Sequence, residues 1–265
     1  MKKSIFYLFV LLMTLGSCSD YEKLLKSSDY AMKYEKAFEY FENEDYVRSA
    51  TIFEQIANVY RGTTKADTLQ FYRAMSYYYS KDYIMAGHYF GELSTTYKNS
   101  EFSEEANYLN AYCYYKLSPR PSLDQEYTYK AISAFTLYLI NFPGTDKREQ
   151  SLGLISEMRE KIVEKSFLNA RLYFDRGLYK AAIVALRNSL NEFPETNHRE
   201  ELMFLILQSN FLLAENSVID KRLERYQNAV DEYYSYVAEF EIGEFAKQAR
   251  QMYESSMNVL GQEIN

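Results

Sequence analysis

Few residues of this 265-residue chain are of types and spacings that could do chemistry: His88, His198, Cys18, Cys113, and acidic pairs such as Glu104-Glu105 and Glu200-Glu201. The two histidines stand far apart, and neither belongs to an H-E-x-x-H or comparable ligand spacing, so no metal site is expected. Cys113 lies in the run Tyr112-Cys-Tyr-Tyr115, where a small apolar residue suits a buried helix face; a nucleophile would need a paired base, and none is visible. The acidic pairs sit near expected helix starts, where negative charge favours the helix dipole. There is no Gly-rich phosphate loop and no Walker or dinucleotide fingerprint. The chain therefore reads as a binding scaffold rather than an enzyme, with no catalytic residue, metal or cofactor.

Cys18 is different. Lys2 and Lys3 precede a mostly apolar stretch from Ile5 to Leu15, too short to span a bilayer and of the length of a signal peptide. Leu15-Gly16-Ser17-Cys18 then has the form of the bacterial lipobox, in which the cysteine becomes the lipidated N-terminus. Two or more acyl chains hold a soluble domain stably at a membrane, where one does so only marginally.

The net charge is −7, and removal of Lys2 and Lys3 makes the mature chain more acidic. No basic stripe exists that could neutralise phosphates, so nucleic acid is not an expected partner. With only 4 Pro and 9 Gly, long helices are favoured over short strands. The 28 Tyr and 17 Phe, with no Trp, suit helices that have one apolar face and one wet edge.

Those helices repeat. Ser49, Ala86, Ala131, Ala182 and Ala229 are each followed four residues later by a large partner: Phe53, Phe90, Phe135, Leu186 and Tyr233. Tyr46, Tyr83, Tyr179 and Tyr226 stand three residues before, and Thr128 is the exception. The preceding helices carry Ala37 with Tyr40, Ala74 with Tyr77, Ala111 with Tyr114 and Ala170 with Tyr173; the fifth offers Ser209 and Leu212. A second register runs in phase: Tyr60-Arg-Gly-Thr63, Tyr97-Lys-Asn-Ser100, Phe142-Pro-Gly-Thr145 and Phe193-Pro-Glu-Thr196 each close a repeat, the final Ser or Thr being placed to cap the next helix. Small residues let helix backbones approach and aromatics fill the space beside them, the pattern of a helix–turn–helix unit of about 34 residues. The fold class is all-α: a tetratricopeptide-like helical solenoid of about five helix–turn–helix repeats with a C-terminal capping helix. The expected organisation is a signal peptide over 1–17, a lipidated tether over 18–28, repeats one to three over 29–145, a long linking helix with repeats four and five over 146–241, and a capping helix and tail over 242–265. Stacked hairpins of this kind present extended concave surfaces.

Five such repeats behind a lipobox, with a long helix between the third and fourth, resemble the BamD-like family, lipoprotein partners of the barrel-assembly machine in Gram-negative outer membranes. The resemblance covers roughly residues 18–240 and is carried by Cys18, by Tyr173-Phe-Asp-Arg-Gly-Leu-Tyr-Lys-Ala-Ala182, and by the closures at Phe142–Thr145 and Phe193–Thr196. It implies a place on the periplasmic face of the outer membrane, held by acyl chains. It implies that the C-terminal repeats dock on the periplasmic POTRA domains of a BamA-like barrel protein, which puts partner contacts at Arg176 and Arg187. It also implies that the N-terminal repeats receive the terminal targeting signal of unfolded outer-membrane proteins, near Tyr40, Tyr46, Tyr72 and Tyr77. The first two repeats depart from the family in closing without proline, and the loop at Pro119–Pro121 and the last helix are further departures. The other reading is a tetratricopeptide envelope lipoprotein that binds peptidoglycan, glycan or another periplasmic complex, since aromatic grooves also stack on sugars.

If Cys18 is the acyl site, Cys18→Ala should leave an unprocessed precursor that palmitate analogues do not label. Equal labelling of the two proteins would refute the assignment.

Overall fold

The computed structural model describes residues 20–263; the signal peptide and Cys18 lie outside the described residues. Helix α1 covers 20–26. It is followed by α2 (Tyr30–Glu42), α3 (Tyr46–Tyr60), α4 (Ala66–Tyr79), α5 (Tyr83–Thr96), α6 (Ser103–Leu117), α7 (Glu126–Asn141), α8 (Arg148–Asp175), α9 (Tyr179–Glu192), α10 (Arg199–Glu215), α11 (Ile219–Glu239) and α12 (Ala246–Glu263). No strand occurs among the described residues.

The chain forms two compact units, one of residues up to Pro119 with Glu126–Met158, the other of Arg120–Gln125 with Arg159 onward. Within the first unit each helix from α2 to α7 packs on the next in sequence; within the second, α9 packs on α10, α10 on α11, and α12 on both α10 and α11. Each unit is thus built of consecutive antiparallel hairpins, and the fold class is the expected all-α, tetratricopeptide-like one. The division falls inside α8, after Met158, and not at 145/146 where repeats three and four were expected to part. The physical reason is that the first turns of α8 belong to the first core: Ile155 is buried with Phe135 and Tyr138, while Phe167 and Ala170 are buried with Ala182 and Leu186.

The small–large register explains the packing. Ser49, Ala86, Ala131, Ala182 and Ala229 are all buried, as are Phe53, Phe90, Phe135, Leu186 and Tyr233. Ala37, Ala74, Ala111 and Ala170 on the partner helices are buried too. Where the first repeat has serine, the hydroxyl is satisfied: Ser49 Oγ donates to the Ala37 carbonyl at 2.9 Å and lies 3.0 Å from Ser76 Oγ. A buried hydroxyl without such partners would cost about 1–3 kcal/mol.

The turn inside each hairpin is made the same way three times. Asp45 N–H donates to the Tyr40 carbonyl, Asp82 N–H to that of Tyr77, and Leu178 N–H to that of Tyr173, at 2.9, 2.9 and 3.0 Å. The residue before each donor is left-handed: Glu44 at φ 62°, Lys81 at φ 65°, Gly177 at φ 71°. This is the Schellman way of ending a helix, which satisfies carbonyls the helix leaves open. Asp45 and Asp82 then cap α3 and α5 by accepting from Arg48 N–H and Met85 N–H. Glycine serves the turn only in repeat four; the other two hold a side chain in a region that disfavours one.

Two expectations are corrected. The Ser or Thr that closes each repeat does not cap the next helix. Thr63, Ser100, Thr145 and Thr196 accept from the N–H two residues on, at Lys65, Phe102, Lys147 and His198, so their oxygens are spent inside the connection. The segment 18–28, expected as a polar tether, is helical over 20–26, because Leu24 is buried with Ile52 and Phe53 while Tyr21 and Leu25 pack beside them.

Ala182 sits fully buried among Phe167, Ala170, Leu186 and Leu202. Ala182→Leu should overpack this crossing and cost about 1–3 kcal/mol in urea denaturation. Damage should centre on the second unit, since repeats contact mainly their neighbours.

Candidate functional site

An open, mainly apolar groove of the second unit is lined by the segment from Tyr173 to Asn188. Gly177 turns the chain tightly between α8 and α9, and Leu172, Tyr173, Leu178 and Val184 on either side of it are exposed. Tyr173, Leu178 and Val184, together with Tyr179 and with Leu213 near the end of α10, bound a groove of about 1070 Å³. Concave, mainly apolar surfaces with a few polar groups are where proteins bind partners.

Lys180 lines the groove, and no acidic residue does. The side chains of Lys180 and Arg176 make no ion pair among the described residues, and both are exposed. Asp175, next in sequence, lies 3.8 Å from Arg171. A neighbouring cleft of about 410 Å³ shares Lys180, Val184 and Leu213 with the groove and continues it toward Arg187, Asp231 and Glu232. Arg187 is not free there: its guanidinium pairs with the Glu232 carboxylate on α11. Arg176 therefore stands at the turn beside the apolar groove, and Arg187 at its polar continuation already engaged. Sequence reading missed Leu178, Lys180 and Val184; Lys180 and Val184 stand on the face of α9 opposite the buried Ala182 and Leu186, and Leu178 is the residue just before that helix.

The tyrosines singled out in the first two repeats are all half-buried. Tyr40 meets Tyr21 edge-on at 5.7 Å and lies 5.8 Å from the Arg48 guanidinium. Tyr46 stacks on Tyr79 at 4.9 Å. Tyr72 is packed between Phe38 and Phe41, at 4.9 and 5.0 Å. Tyr77 donates to Glu54 Oε2 at 3.1 Å, and Tyr89 donates to the other oxygen at 2.7 Å. The Arg73 guanidinium lies 3.6 Å from the centre of the Tyr89 ring and pairs with Glu92 at 3.2 Å. The four rings are thus each engaged within the first unit: Tyr40 with Tyr21 and Arg48, Tyr46 and Tyr72 through Phe41 and Tyr79, and Tyr77 with Tyr89 and Glu54.

The remaining reactive types are accounted for. Cys113 is buried in the first core, and burial pushes its thiol up to about 12. His198 Nε2 lies 2.7 Å from Glu164 Oε2, with its ring stacked on Phe167 at 4.0 Å. His88 is exposed against Tyr89. Among the described residues no group of three or more His, Cys, Asp or Glu is arranged to hold a metal ion, and no helix is long and apolar enough to cross a membrane.

The stacked hairpins and the open groove define a tetratricopeptide-like repeat protein. Residues 27–226 match the family described as YfiO, outer membrane lipoprotein, and the chain belongs to that family. Comparison with curated proteins returned no similar sequence. Among solved structures the chain is similar to the tetratricopeptide domain of P58(IPK), at 16% identity over 91% of this chain and 68% of that one, with a TM-score of 0.41. It is similar to the TPR2AB domain of yeast Sti1, from its complex with pHSP90, at 12% identity over 87% and 99%, with a TM-score of 0.38. A tetratricopeptide repeat protein of Parabacteroides merdae is similar at 14% identity over 87% and 100%, with a TM-score of 0.37.

The buried tyrosines give the first unit a pH limit. Burial is the main cause that pushes Tyr78, Tyr89 and Tyr108 up to about 12 from 10.0. A raised folded value keeps the neutral hydroxyl favoured in the fold, so the stabilisation is complete below pH 10 and is lost as pH rises through about 12. Helical circular dichroism should hold to about pH 10 and fall in step with tyrosinate absorbance above it.

Proposed function

We propose that this protein is a lipid-anchored adaptor of outer-membrane barrel assembly, with no chemistry of its own. The observation that carries the reading is the match of residues 27–226 to an outer membrane lipoprotein family, in a chain whose Tyr173–Ala182 segment lines an open apolar groove. In this reading Cys18 carries the acyl chains, and the anchor raises the effective concentration of whatever the repeats hold near the membrane.

The groove of repeat four, with Arg176 and Lys180 beside it and Arg187 at its continuation, docks the periplasmic POTRA domains of a BamA-like barrel protein. Apolar side chains fill the groove, and carboxylates of the partner answer the two unpaired cations. Arg187 would have to exchange Glu232 for such a carboxylate, so Arg176 and Lys180 are the better contacts. The first two repeats receive apolar and aromatic segments of unfolded outer-membrane proteins, with Tyr40, Tyr46, Tyr72 and Tyr77 as the receiving rings. Tyrosine offers rigid contact area at low entropic cost. The rings, each already packed against its neighbours, act by presenting their outer edges.

Val184→Asp should weaken retention of the barrel partner by about tenfold or more, as expected for a central apolar contact, while the lipoprotein stays folded and membrane-bound. Arg176→Glu with Lys180→Glu should act in the same direction. Tyr46→Ala should spare the barrel partner and impair capture of substrate peptides. Depletion of the protein that leaves outer-membrane barrel levels unchanged would reject the assembly role and favour the glycan- or envelope-binding reading.

A further inference from the structure

The helix α1 fixes where the lipid anchor leaves the fold. It runs antiparallel to α2: at its start Tyr21 meets Tyr40 and lies 5.0 Å from the Arg48 guanidinium, and near its end the Leu25 carbonyl accepts from Lys33 Nζ at 3.0 Å. Lys33 is buried and also donates to Gln55 Oε1 at 2.7 Å, so releasing α1 would take from it one of its two acceptors. Residue 20 therefore lies at the end of repeat one that carries the α2–α3 turn. Cys18 is two residues away, a reach of at most about 7 Å.

That same end bears an unpartnered apolar edge. Val47 is 67% exposed and Ile84 59%, and they hold equivalent places in the first turns of α3 and α5, two residues before the buried Ser49 and Ala86. Tyr79, 46% exposed, stacks on Tyr46 and joins the two turns. Glu44, Asp45, Arg48, Lys81 and Asp82 flank Val47 and Ile84 in sequence, charges of both signs that suit zwitterionic headgroups. Tyrosines with an apolar body and a polar tip belong at that depth of a bilayer.

From this we infer that the turn edge of repeats one and two, with Val47, Tyr79 and Ile84 at its tip, rests on the phospholipid surface. The inference builds on acylation at Cys18. A leash this short, attached to a helix locked onto α2, leaves the edge no room to stand away from the headgroups. The anchor would then orient the first unit as well as tether it, turning the opposite ends of α3 and α5 away from the membrane.

The chain has no tryptophan, so one introduced residue reports alone. Val47→Trp and Val59→Trp stand at opposite ends of α3, about 18 Å apart. The lipidated full-length variants would be placed in vesicles of phosphatidylethanolamine and phosphatidylglycerol, with and without brominated acyl chains. Val47→Trp should show blue-shifted emission that the brominated chains quench, and Val59→Trp neither. Ile84→Trp should behave as Val47→Trp, which guards against a folding defect in one variant. A Gly/Ser insert of about 12 residues between Ser19 and Asp20, with a reach near 20 Å, should reduce the quenching while vesicle binding persists. Vesicle-bound protein in which Trp at 47, 59 and 84 is equally unquenched overturns the inference and leaves the anchoring reading intact. Protein that binds vesicles no better than its Cys18→Ala variant overturns both.

Discussion

At each helix crossing of this fold stands a side chain no larger than alanine or serine, and the rest of the structure depends on that limit. Ser49, Ala86, Ala131, Ala182 and Ala229 let the second helix of each hairpin approach the first, and Ala37, Ala74, Ala111 and Ala170 do the same from the other side. Close approach brings large residues such as Phe53, Phe90 and Phe135 into contact with both neighbours, where packing density rather than polarity decides stability. A larger residue at any crossing would force helices apart and take the adjoining large side chains out of register.

Much of this was legible in the sequence because one small and one large position recur in phase, and a recurrence of that kind has a single physical use. The turns were less legible. Glu44 and Lys81 hold left-handed backbone that glycine would mark, and nothing in Asn43-Glu44-Asp45 or Ser80-Lys81-Asp82 announces it except the capping aspartate. The Ser and Thr that close the repeats were read as caps because hydroxyls favour that place, whereas the geometry uses them two residues earlier. Residues 20–26 looked like a tether because Asp20, Glu22, Lys23 and Lys26 dominate the composition, and three apolar side chains between them suffice to dock the helix.

The candidate surfaces were the least legible, for a different reason. Exposed Leu178 and Val184 are the same residue types as buried core positions, and only the absence of a covering helix separates them. Arg187 looked as available as Arg176, but its partner Glu232 lies 45 residues away, a distance at which no sequence pattern speaks. The tyrosines illustrate the same limit. Tyr40, Tyr72 and Tyr77 are on the expected helices, yet their rings are committed to neighbours that the sequence places one or two helices away.

Cys113 gives the first unit an internal clock. Its thiol is shut between helices, packed so closely that a Cβ added at Gly87 would meet the Cys113 Cβ at 3.3 Å, and burial holds it protonated at ordinary pH. It reacts with a reagent only when α5 and α6 part, so the labelling rate reports how often that pair of helices opens. In a compartment that oxidises thiols, the same enclosure means that the folded chain offers no described sulfur for stray disulfide exchange, and that any mixed disulfide at this position records a molecule that was caught open.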